Sequence, residues 1–450
     1  MATQATFPPG PKGLPVIGNL LPFQNEPLNF IRSVQRRYGN LVSVKILNGY
    51  AICGFGPEHV RYCLTEHHRS FHTTQSQEGS DLRGLLGEGL LTSEGDAHRQ
   101  QRRLVQPAFH RQRIEQYADT MVNYTLETLE GWQAGLEVDM VRQMQQLTLR
   151  IILKTMFNVE SREQVVPLSQ AFNMLAGQGS RKIPWLRSFL ASLTGRPTKE
   201  QETRFRTAST QLDAFVYTLI QQRRAEEQDQ GDILSMLIEA QDENTSLSDQ
   251  QIRDQVMTLM AAGHETVQNS LCWTLYLLAQ HPTVQEKLLA ELHTVLHGRA
   301  PTAQDLSQLP YLDWVVSESW RVYPPAWRLG RRAIEPIELD GYHFRAGTII
   351  LLHQWVTHQL PEIWGDPENF RPERWDPRQQ QKLPQGAYFP FGGGPRMCIG
   401  MPFAQIEARL LLATILQHYN PRLAPNHQVV PRPLVTLRPY GLRMILQPVG

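Results

Sequence analysis

The sequence contains little cysteine, almost no net charge and no long apolar run. Four cysteines occur among 450 residues, and no two have the close spacing of zinc or redox sites. This scarcity excludes a disulfide scaffold and predicts small buried side chains in a reducing compartment for most of them. The formal net charge is +1, so the chain lacks the basic field typical of proteins that bind nucleic acid.

No stretch approaches the ~20 consecutive apolar residues that a membrane-spanning helix needs. The N-terminus lacks a charged segment followed by an apolar one, so it does not predict a signal peptide. We therefore expect a cytoplasmic protein without a membrane anchor. The Pro- and Gly-rich opening, about residues 7–20, predicts an extended arm along the surface.

Apolar residues recur at helical spacing through most of the chain. The segments that predict helices are 96–106, 111–132, 139–157, 203–228, 231–239, 283–297 and 402–416. The runs 41–46 and 51–55, with Asn48-Gly49 between them, predict a hairpin. A second hairpin is expected around Asp340-Gly341, joining residues 334–339 to 348–352. We predict a mainly α fold with a minor β region, in a single domain spanning residues 1–450.

The longest predicted helix begins at Ser248, where Gln251 completes a capping box, and ends at Gln280 before a His-Pro pair. Its middle is apolar on nearly every side, which predicts a helix buried through the centre of the protein. Residues 263–266, Gly-His-Glu-Thr, interrupt that middle. The interruption marks either a functional site or a carboxylate with an ordinary buried hydrogen bond.

The strongest chemical signal is a glycine-rich loop that ends in a cysteine. Three consecutive glycines, residues 392–394, precede Cys398, and a predicted helix follows it. Backbone amides near a helix start stabilise a thiolate, and Arg396 adds a positive charge two residues away. These features predict a thiolate that either ligates a metal or attacks an electrophile.

Residues Phe391 to Gly400 resemble the haem-ligand signature Phe-x-x-Gly-x-Arg-x-Cys-x-Gly of the cytochrome P450 family at every defined position. The resemblance implies the fold of that family, with a long central helix over the haem and a small sheet near the N-terminus. It also implies heme b as cofactor, with Cys398 as the axial ligand of its iron.

Two further motifs occur in the order found in that family. Glu318 and Arg321 match its Glu-x-x-Arg, and Arg374, in a Phe-Arg-Pro-Glu-Arg-Trp segment, resembles the arginine that completes a structural triad. Residues 262–266 are similar to the oxygen-binding groove. This similarity implies that Gly263 leaves room for O₂ above the iron, and that Glu265 and Thr266 bring protons to the oxygen. Val267 occupies a position where a second threonine is common.

The two propionates of haem require cations at fixed points. The resemblance assigns this part to His98, Arg102, Arg331 and Arg396, with Arg328 as a competing candidate for the place of Arg331. His98 stands where the family usually has tryptophan, and it can still donate a hydrogen bond to a propionate.

The resemblance implies a haem–thiolate monooxygenase that inserts one oxygen atom from O₂ into a lipophilic substrate, which is a fatty acid, a terpenoid, a steroid-like compound or a polyketide. Two alternatives are a peroxide-driven peroxygenase and a non-enzymatic haem sensor or carrier. The pocket is expected from residues 82–91, 172–189, 260–266 and 326–329. Arg181 and Lys182 are candidates for holding a carboxylate at its mouth.

Electrons must come from a separate ferredoxin or flavodoxin reductase system, because the segment after Cys398 is too short for a fused reductase domain. Four arginines near the predicted haem-proximal helix can dock an acidic partner, or they form an ordinary solvated face. They are Arg99, Arg103, Arg111 and Arg113.

Overall fold

Helices form most of the fold and surround one long helix. The computed structural model describes residues 7–47, 49–76, 81–160, 162–175, 199–226, 231–242, 245–378 and 383–449. The α-helices are Leu20–Asn25, Pro27–Tyr38, Pro57–Arg61, Asp81–Leu86, Gly95–Val105, Arg111–Gln116, Ala118–Glu130, Met140–Phe157, Arg162–Leu175, Lys199–Ala225, Ile233–Glu239, Asp249–Gln280, Pro282–Leu296, Pro310–Val322, Gln354–Thr357, Pro361–Trp364 and Met401–His418. Short 3₁₀ turns are His68–Ser70, Thr74–Ser76, Gln106–Phe109, Asp305–Gln308, Pro372–Trp375 and Gly394–Arg396, and Tyr62–Glu66 is a π-helix.

The strands are short and belong to several small sheets. They are Leu41–Ile46, Gly49–Gly54, Phe71–Thr73, Glu137–Asp139, Gln241–Asp242, Thr245–Ser246, Leu329–Ala333, Ile337–Leu339, Tyr342–Phe344, Ile349–Leu352, Arg422–Leu423, Val430–Pro433, Leu437–Tyr440 and Arg443–Ile445. The largest sheet has five strands, ordered Leu41–Ile46, Gly49–Gly54, Ile349–Leu352, Leu329–Ala333 and Phe71–Thr73. Only one of its pairs, Ile349–Leu352 with Gly49–Gly54, is parallel.

The central helix, Asp249–Gln280, is 32 residues long and mostly buried. Ser248 caps it, and the reciprocal hydrogen bonds with Gln251 confirm the predicted capping box. The helix packs along Met140–Phe157, and the cysteine-proximal helix Met401–His418 packs against Ala118–Glu130 within the same core. Helix burial on all sides explains why the sequence is apolar around this helix rather than along one stripe.

Most predicted elements are present. The helices expected at 96–106, 139–157, 203–228, 231–239, 283–297 and 402–416 have ends shifted by four residues or fewer. The first hairpin pairs Leu41–Ile46 with Gly49–Gly54, and its turn includes residue 48, which lies outside the described residues. The Pro-rich arm is extended and bonds to the first strand, where the Ser43 amide donates to the Pro9 carbonyl at 3.1 Å.

One local prediction was wrong, and another was right in its turn at Asp340-Gly341 but wrong in its second strand. Residues 111–132 form two helices instead of one, because the amide of Tyr117 turns back to the carbonyl of Ile114 at 3.0 Å and breaks the α-helical ladder. The second hairpin closes on Tyr342–Phe344, since Asp340 and Gly341 have φ of 50° and 76° and form a two-residue turn. Residues 349–352 join the five-stranded sheet instead.

Every helix in the described parts of the chain is too short or too polar to cross a membrane.

Candidate active site

The cysteine loop, residues 389–400, connects the C-terminal side of the core to helix Met401–His418. The amide of Cys398 donates to the carbonyl of Phe391 at 2.9 Å. The amide of Met397 donates to the carbonyl of Gly394 at 3.0 Å. Gly394 has φ +65°, and a Cβ atom there would lie 1.7 Å from the carbonyl oxygen of Leu64. Only glycine fits this position, so the glycine run determines the path of the backbone into Cys398.

Cys398 differs from the other three cysteines. Cys53, Cys63 and Cys272 are buried, as predicted for most of the set, whereas Cys398 is exposed through an opening in the protein. Protein atoms surround its sulfur on the remaining sides, and this burial raises the pKa of the thiol. The backbone amides of Gly400 and Met401, together with Arg102, oppose the rise. The loop therefore supplies only part of the stabilisation that a thiolate needs, and a metal cation bound to the sulfur would supply the rest.

The cysteine loop packs on the helix that carries the Glu-x-x-Arg motif. The ring of Phe391 meets that of Trp320 edge to face at 5.1 Å between centroids. On the other side, a Cβ atom added to Gly400 would lie 3.9 Å from the sulfur of Cys398. Phe391 therefore ties the loop to the triad helix, and Gly400 lies next to the sulfur, where the space would hold a Cβ in ordinary contact.

Glu318, Arg321 and Arg374 meet as the resemblance implied. The guanidinium of Arg321 donates two hydrogen bonds of 2.9 Å to the carboxylate of Glu318, and both side chains are completely buried. The Nε atom of Arg374 donates to the same carboxylate at 2.8 Å. The indole of Trp375 and the amide of Arg371 also donate to it, so the buried charge is fully hydrogen-bonded.

Hydrogen bonds along two routes, one through His358 and one through Tyr388, join this triad to the cysteine loop and the residue before it. Arg321 donates to the carbonyl of His358 at 2.9 Å, and Nε2 of His358 accepts from the amide of Phe389 at 3.0 Å. The hydroxyl of Tyr388 donates to the carbonyl of Ser317 on the triad helix at 3.0 Å. The sequence carried no signal for His358 or Tyr388, because nothing local distinguishes them from other core residues.

Four of the predicted cofactor residues form a cationic cluster. Arg102 donates to the carbonyl of Met397 at 2.8 Å, which places its positive charge beside the cysteine loop. Burial lowers the pKa of His98 to about 4, with Arg396 and Arg102 adding to the effect, so its imidazole is neutral at pH 7. Burial, together with Arg396, lowers the pKa of Arg331 to about 10, so it remains charged.

The carboxylates near this cluster are too few to neutralise it. Arg396 pairs with Glu94 at 2.5 Å, a partner that the sequence did not reveal. Arg331 donates to the carbonyl of Gly330 at 2.9 Å and makes no ion pair within the described parts of the chain. The cluster therefore fits a ligand with more than one negative charge. Arg328 lies apart from it, so the structure places Arg331 in the cluster in preference to Arg328.

The interrupted middle of the central helix faces two different surroundings. Ala262 is exposed within this otherwise buried helix, and the hydroxyl of Thr266 donates to its carbonyl at 2.9 Å. Gly263 does not fit its predicted part. A Cβ atom there would lie 2.7 Å from Cδ1 of Ile152, so the missing side chain permits close packing of two helices. The open space lies at Ala262 instead.

Glu265 is held away from the solvent by residues near the C-terminus. Nε of Arg438 donates to its carboxylate at 2.8 Å, and the hydroxyl of Thr436 donates to the same oxygen. Burial raises the pKa of Glu265, but Arg438, Thr436 and His264 outweigh it and hold the pKa below its ordinary value. Glu265 is therefore an ion-paired carboxylate here. Nothing near Glu265 in the sequence indicates this pairing, because its partners lie on a distant hairpin.

Three of the predicted pocket segments border this region. The amide of Glu88, within 82–91, donates to Asp254 of the central helix at 2.8 Å. The indole of Trp327, within 326–329, donates to the carbonyl of Leu434 at 2.9 Å. The ring of Phe172 lies 4.6 Å from that of His264. Most of the stretch to residue 189, with Arg181 and Lys182, lies outside the described residues.

A groove of about 440 Å³ lies beside the cysteine loop. Its walls include Arg99, Arg103, His110 and Pro395, and His98 and Arg102 lie at the same groove. Arg113 has a different use, since it donates to the carbonyl of Gly231 and to the sulfur of Met236. Arg111 is paired with Glu115 at 2.8 Å. Of the four arginines expected to dock a partner, the groove therefore contains two.

The exposed cysteine, its buried triad and the cationic cluster define a site for an anionic cofactor with a thiolate-binding metal. The cytochrome P450 family model matches residues 8–445, and the chain belongs to this family. It is therefore an oxidoreductase of a haem-binding family whose members incorporate oxygen.

Curated relatives match over nearly the whole chain. Cyclooctatin synthase of Streptomyces melanosporofaciens is 35% identical over 97% of this chain and 95% of its own length. Pentalenene oxygenase of Streptomyces avermitilis is 33% identical over 99% of this chain and 98% of its own. A retinoic-acid-bound cyanobacterial cytochrome P450 has a TM-score of 0.87 at 28% identity, covering 99% of this chain and 100% of that one.

The residues present fit a haem group. The sulfur of Cys398 is accessible to a metal, and Arg102, Arg331 and Arg396 supply positive charge for two carboxylates. Neutral His98 keeps an N–H donor for the same purpose.

Proposed function

We propose that this chain is a single-domain haem–thiolate monooxygenase that hydroxylates or epoxidises a terpenoid, with heme b as its cofactor. The observation that carries the proposal is the exposed Cys398 sulfur in a loop anchored to a fully buried ion-pair network. Such a network rigidifies the loop without contributing a competing ligand. The terpenoid assignment rests on the relatives, which include an enzyme named cyclooctat-9-en-7-ol 5-monooxygenase, 34% identical over 92% of this chain.

The predicted cofactor-binding side chains have distinct parts in this proposal. Cys398 holds the iron, while Arg102, Arg331, Arg396 and His98 hold the carboxylates of the cofactor. When bound, haem supplies the oxidising chemistry, in which one oxygen atom of O₂ enters the substrate and the other leaves as water.

The central helix supplies protons in this proposal. The hydroxyl of Thr266 donates to the carbonyl of the exposed Ala262, so its oxygen is left to accept a hydrogen bond from a proton donor in the open space. Glu265 is a further proton-carrying group that resupplies that path. Its carboxylate reaches the path only after leaving Arg438, because that pair holds it in the ionised form.

The substrate is lipophilic because the segments that border the site contribute mainly apolar side chains. Ala262 is exposed in the central helix, and Val435 at the turn of the hairpin Val430–Tyr440 is 61% exposed. The hairpin is tied to the central helix, since Nδ2 of Asn269 donates to the hydroxyl of Thr436 at 2.9 Å. These exposed apolar atoms favour a terpenoid over a polar metabolite.

Electrons come from a separate cytoplasmic ferredoxin or flavodoxin system in this proposal. The groove that contains Arg99 and Arg103 lies beside the cysteine loop, where an acidic partner would approach the cofactor closely. Positive side chains at the rim of an interface raise the association rate with an acidic partner.

The test is a spectrum followed by a reconstitution. The dithionite-reduced carbon monoxide complex of the purified protein is expected to show the strongly red-shifted Soret band of thiolate ligation, and Cys398→Ala is expected to lose it. Cys272→Ala, at a buried thiol whose sulfur contacts the carbonyl of Met140, is the matched control. A histidine-type band in the folded wild-type protein overturns the proposal.

Reconstitution separates the remaining functions. With a ferredoxin, its reductase and NADPH, terpenoid-dependent NADPH oxidation with an oxygenated product is expected. Faster product formation with hydrogen peroxide alone would make the protein a peroxygenase. A thiolate band without turnover by either route, over a panel of terpenoids, would make it a haem sensor or carrier.

A further inference from the structure

Arg328 has no carboxylate partner. Its guanidinium lies 4.6 Å from the ring centre of Trp327 and 5.7 Å from that of Phe23. The surrounding protein lowers the pKa of Arg328 through burial, and the only ionisable group that opposes this is the thiol of Cys53. No Asp or Glu among the described residues pairs with it. The side chain nevertheless remains exposed, so a ligand can reach it.

Several other enclosed arginines of the chain do have carboxylate partners. Arg321 and Arg374 share Glu318, Arg223 pairs with Asp232, and Arg253 pairs with Asp213 and Asp254. Arg438 pairs with Glu265, and Arg396 with Glu94. Among the described residues, Arg331 and Arg102 make no ion pair and belong to the cationic cluster beside the cysteine loop, and Arg32 bonds to the side chain of Gln359 instead. Arg328 is open to solvent and has no anion to give up among the described residues, so a bound carboxylate gains a charge-assisted hydrogen bond there without displacing a protein partner.

The ionisable neighbours of Arg328 are neutral at pH 7. Burial raises the pKa of the Cys53 thiol to about 12. Burial, with Arg328 beside it, lowers the pKa of His353 to about 3. Neither ring nitrogen of His353 has a hydrogen-bond partner. The surroundings of Arg328 therefore contain unmatched donors and a full positive charge, and an anion brings the acceptors that are missing.

Arg328 lies in a segment that borders the site. Trp327 bonds to the hairpin whose next residues hold Glu265. Cδ1 of Leu329 lies 3.5 Å from where a Cβ of Gly392 in the cysteine loop would stand. On its other side, Phe23 belongs to helix Leu20–Asn25 near the N-terminus. Arg328 is thus placed between the haem-binding loop and an outer layer of the protein.

We propose that Arg328 binds the carboxylate of the substrate, so that the enzyme acts on a terpenoid acid. The planar guanidinium, stacked beside two aromatic rings, presents two parallel N–H donors, which match the geometry of a carboxylate. The carboxylate anchors one end of the molecule, and the apolar remainder extends toward the exposed Ala262. This inference rests on the proposed function, and it adds the charge of the substrate.

The test uses ligands that differ only in the head group. Binding to the haem-loaded protein is measured by calorimetry and by the shift from low-spin to high-spin absorption. The probes are abietic acid, methyl abietate, palmitic acid and methyl palmitate. The wild-type protein is expected to bind at least one acid about tenfold or more tightly than its ester, the effect of a hydrogen bond to a charged group. Equal binding of acid and ester for both skeletons overturns the inference.

Variants assign the preference to Arg328. Arg328→Gln is expected to remove the acid–ester difference and leave ester binding unchanged, and Arg328→Lys is expected to retain part of it. Arg332→Gln, at an exposed arginine of the adjoining strand, is the matched control and is expected to keep the full difference. A preference that survives in both Arg328 variants overturns the inference.

Two further outcomes distinguish failure of the carboxylate-binding role of Arg328 from failure of the proposed function. If Arg328→Gln loses haem while Arg332→Gln retains it, Arg328 holds the cofactor and the inference fails. If esters shift the spin state and acids show no advantage, the proposed monooxygenase function stands and the inference alone fails. Absence of the thiolate band in the wild-type protein is the outcome that removes the proposed function itself.

Discussion

The guanidinium of Arg438 holds both carboxylate oxygens of Glu265, with Nε–Oε1 at 2.8 Å and Nη2–Oε2 at 2.7 Å. The two residues are 173 positions apart in the chain. Arg438 is 3% exposed and Glu265 13% exposed, so the pair is almost completely shielded from water. An acid that was expected to handle protons is therefore kept ionised by a residue from a distant hairpin.

Breaking this pair is expected to destabilise the protein. Arg438→Met leaves the carboxylate of Glu265 enclosed without a cation, and the free energy of unfolding should fall by about 3–5 kcal/mol. The double variant Glu265→Gln/Arg438→Met should recover most of the loss, because no buried charge remains. Denaturant unfolding of the two single variants and the double variant measures this coupling. Additive losses would mean that the pair contributes nothing.

Removing the hydroxyl of Thr266 is expected to uncouple oxygen use from product formation. Thr266→Ala should increase hydrogen peroxide released per NADPH consumed, since no side chain then holds a proton near Ala262. Thr266→Ser keeps the hydroxyl and serves as the control, with coupling near that of the wild-type protein. Unchanged coupling in Thr266→Ala would contradict the proton-path assignment.

The triad is expected to determine whether the cysteine loop can hold haem. Glu318→Gln leaves two buried guanidinium groups without their anion, so it should cost about 3–5 kcal/mol of stability and reduce haem content. Glu407→Gln is the matched control. Glu407 is fully buried without a hydrogen-bond partner, and burial raises its pKa, so the neutral amide replaces a neutral acid. Haem content per folded protein and thermal unfolding distinguish the two; equal losses would show that burial alone matters.

Acid is expected to destabilise the fold through its buried histidines. Burial lowers the pKa of His353 and of His358 to about 3, below the ordinary value of about 6.5. Below pH 6.5 the unfolded chain binds these protons and the folded chain does not, so stability falls as pH decreases toward about 3. Each histidine contributes up to about 1.4 kcal/mol per pH unit in that window.

His353→Phe is expected to lower the number of protons taken up on unfolding by about one, and thus to reduce the slope of the free energy of unfolding against pH. Denaturant unfolding between pH 7.5 and 5 measures this slope. His353 is suited to the test because its nitrogens have no partner to lose. His358 accepts from Phe389, so its protonation also breaks a bond to the cysteine loop, and haem release should accompany acid unfolding. Equal slopes for the wild-type protein and His353→Phe would show that this imidazole is not held neutral.

Charge reversal in the groove is expected to slow reduction by an acidic partner. Arg103→Glu, alone or with Arg99→Glu, should lower the rate of reduction by ferredoxin at low salt and weaken its salt dependence. Arg345→Glu, at an exposed residue outside the groove, is the control. Stopped-flow reduction over a range of ionic strength measures the effect. A rate and salt dependence that match those of the control would remove the docking surface.

The features predictable from the sequence were those encoded within short segments. The capping box at Ser248, the pairing of Glu318 with Arg321 and the glycine path into Cys398 each depend on residues within one turn or one loop. Neighbours along a helix meet at three- and four-residue spacing wherever that helix lies in the fold. For the same reason helix positions were predicted well, whereas the break at Tyr117 was missed, since a single 3₁₀-type turn leaves the apolar period almost unchanged.

Contacts between distant segments depended on how the elements pack. Residue type alone does not place Arg331 in the cationic cluster and leave Arg328 without a partner, since both follow the same Pro-Pro turn. Residue type also does not show that Gly263 lies against Ile152. The face of a helix that contacts its neighbour is determined by how all the surrounding elements pack. The sequence thus determined the family, the cysteine loop and the order of the helices through local spacing. The partner of Glu265 and the surroundings of each arginine were decided by the tertiary fold, since these contacts form only when residues far apart in the chain are packed together.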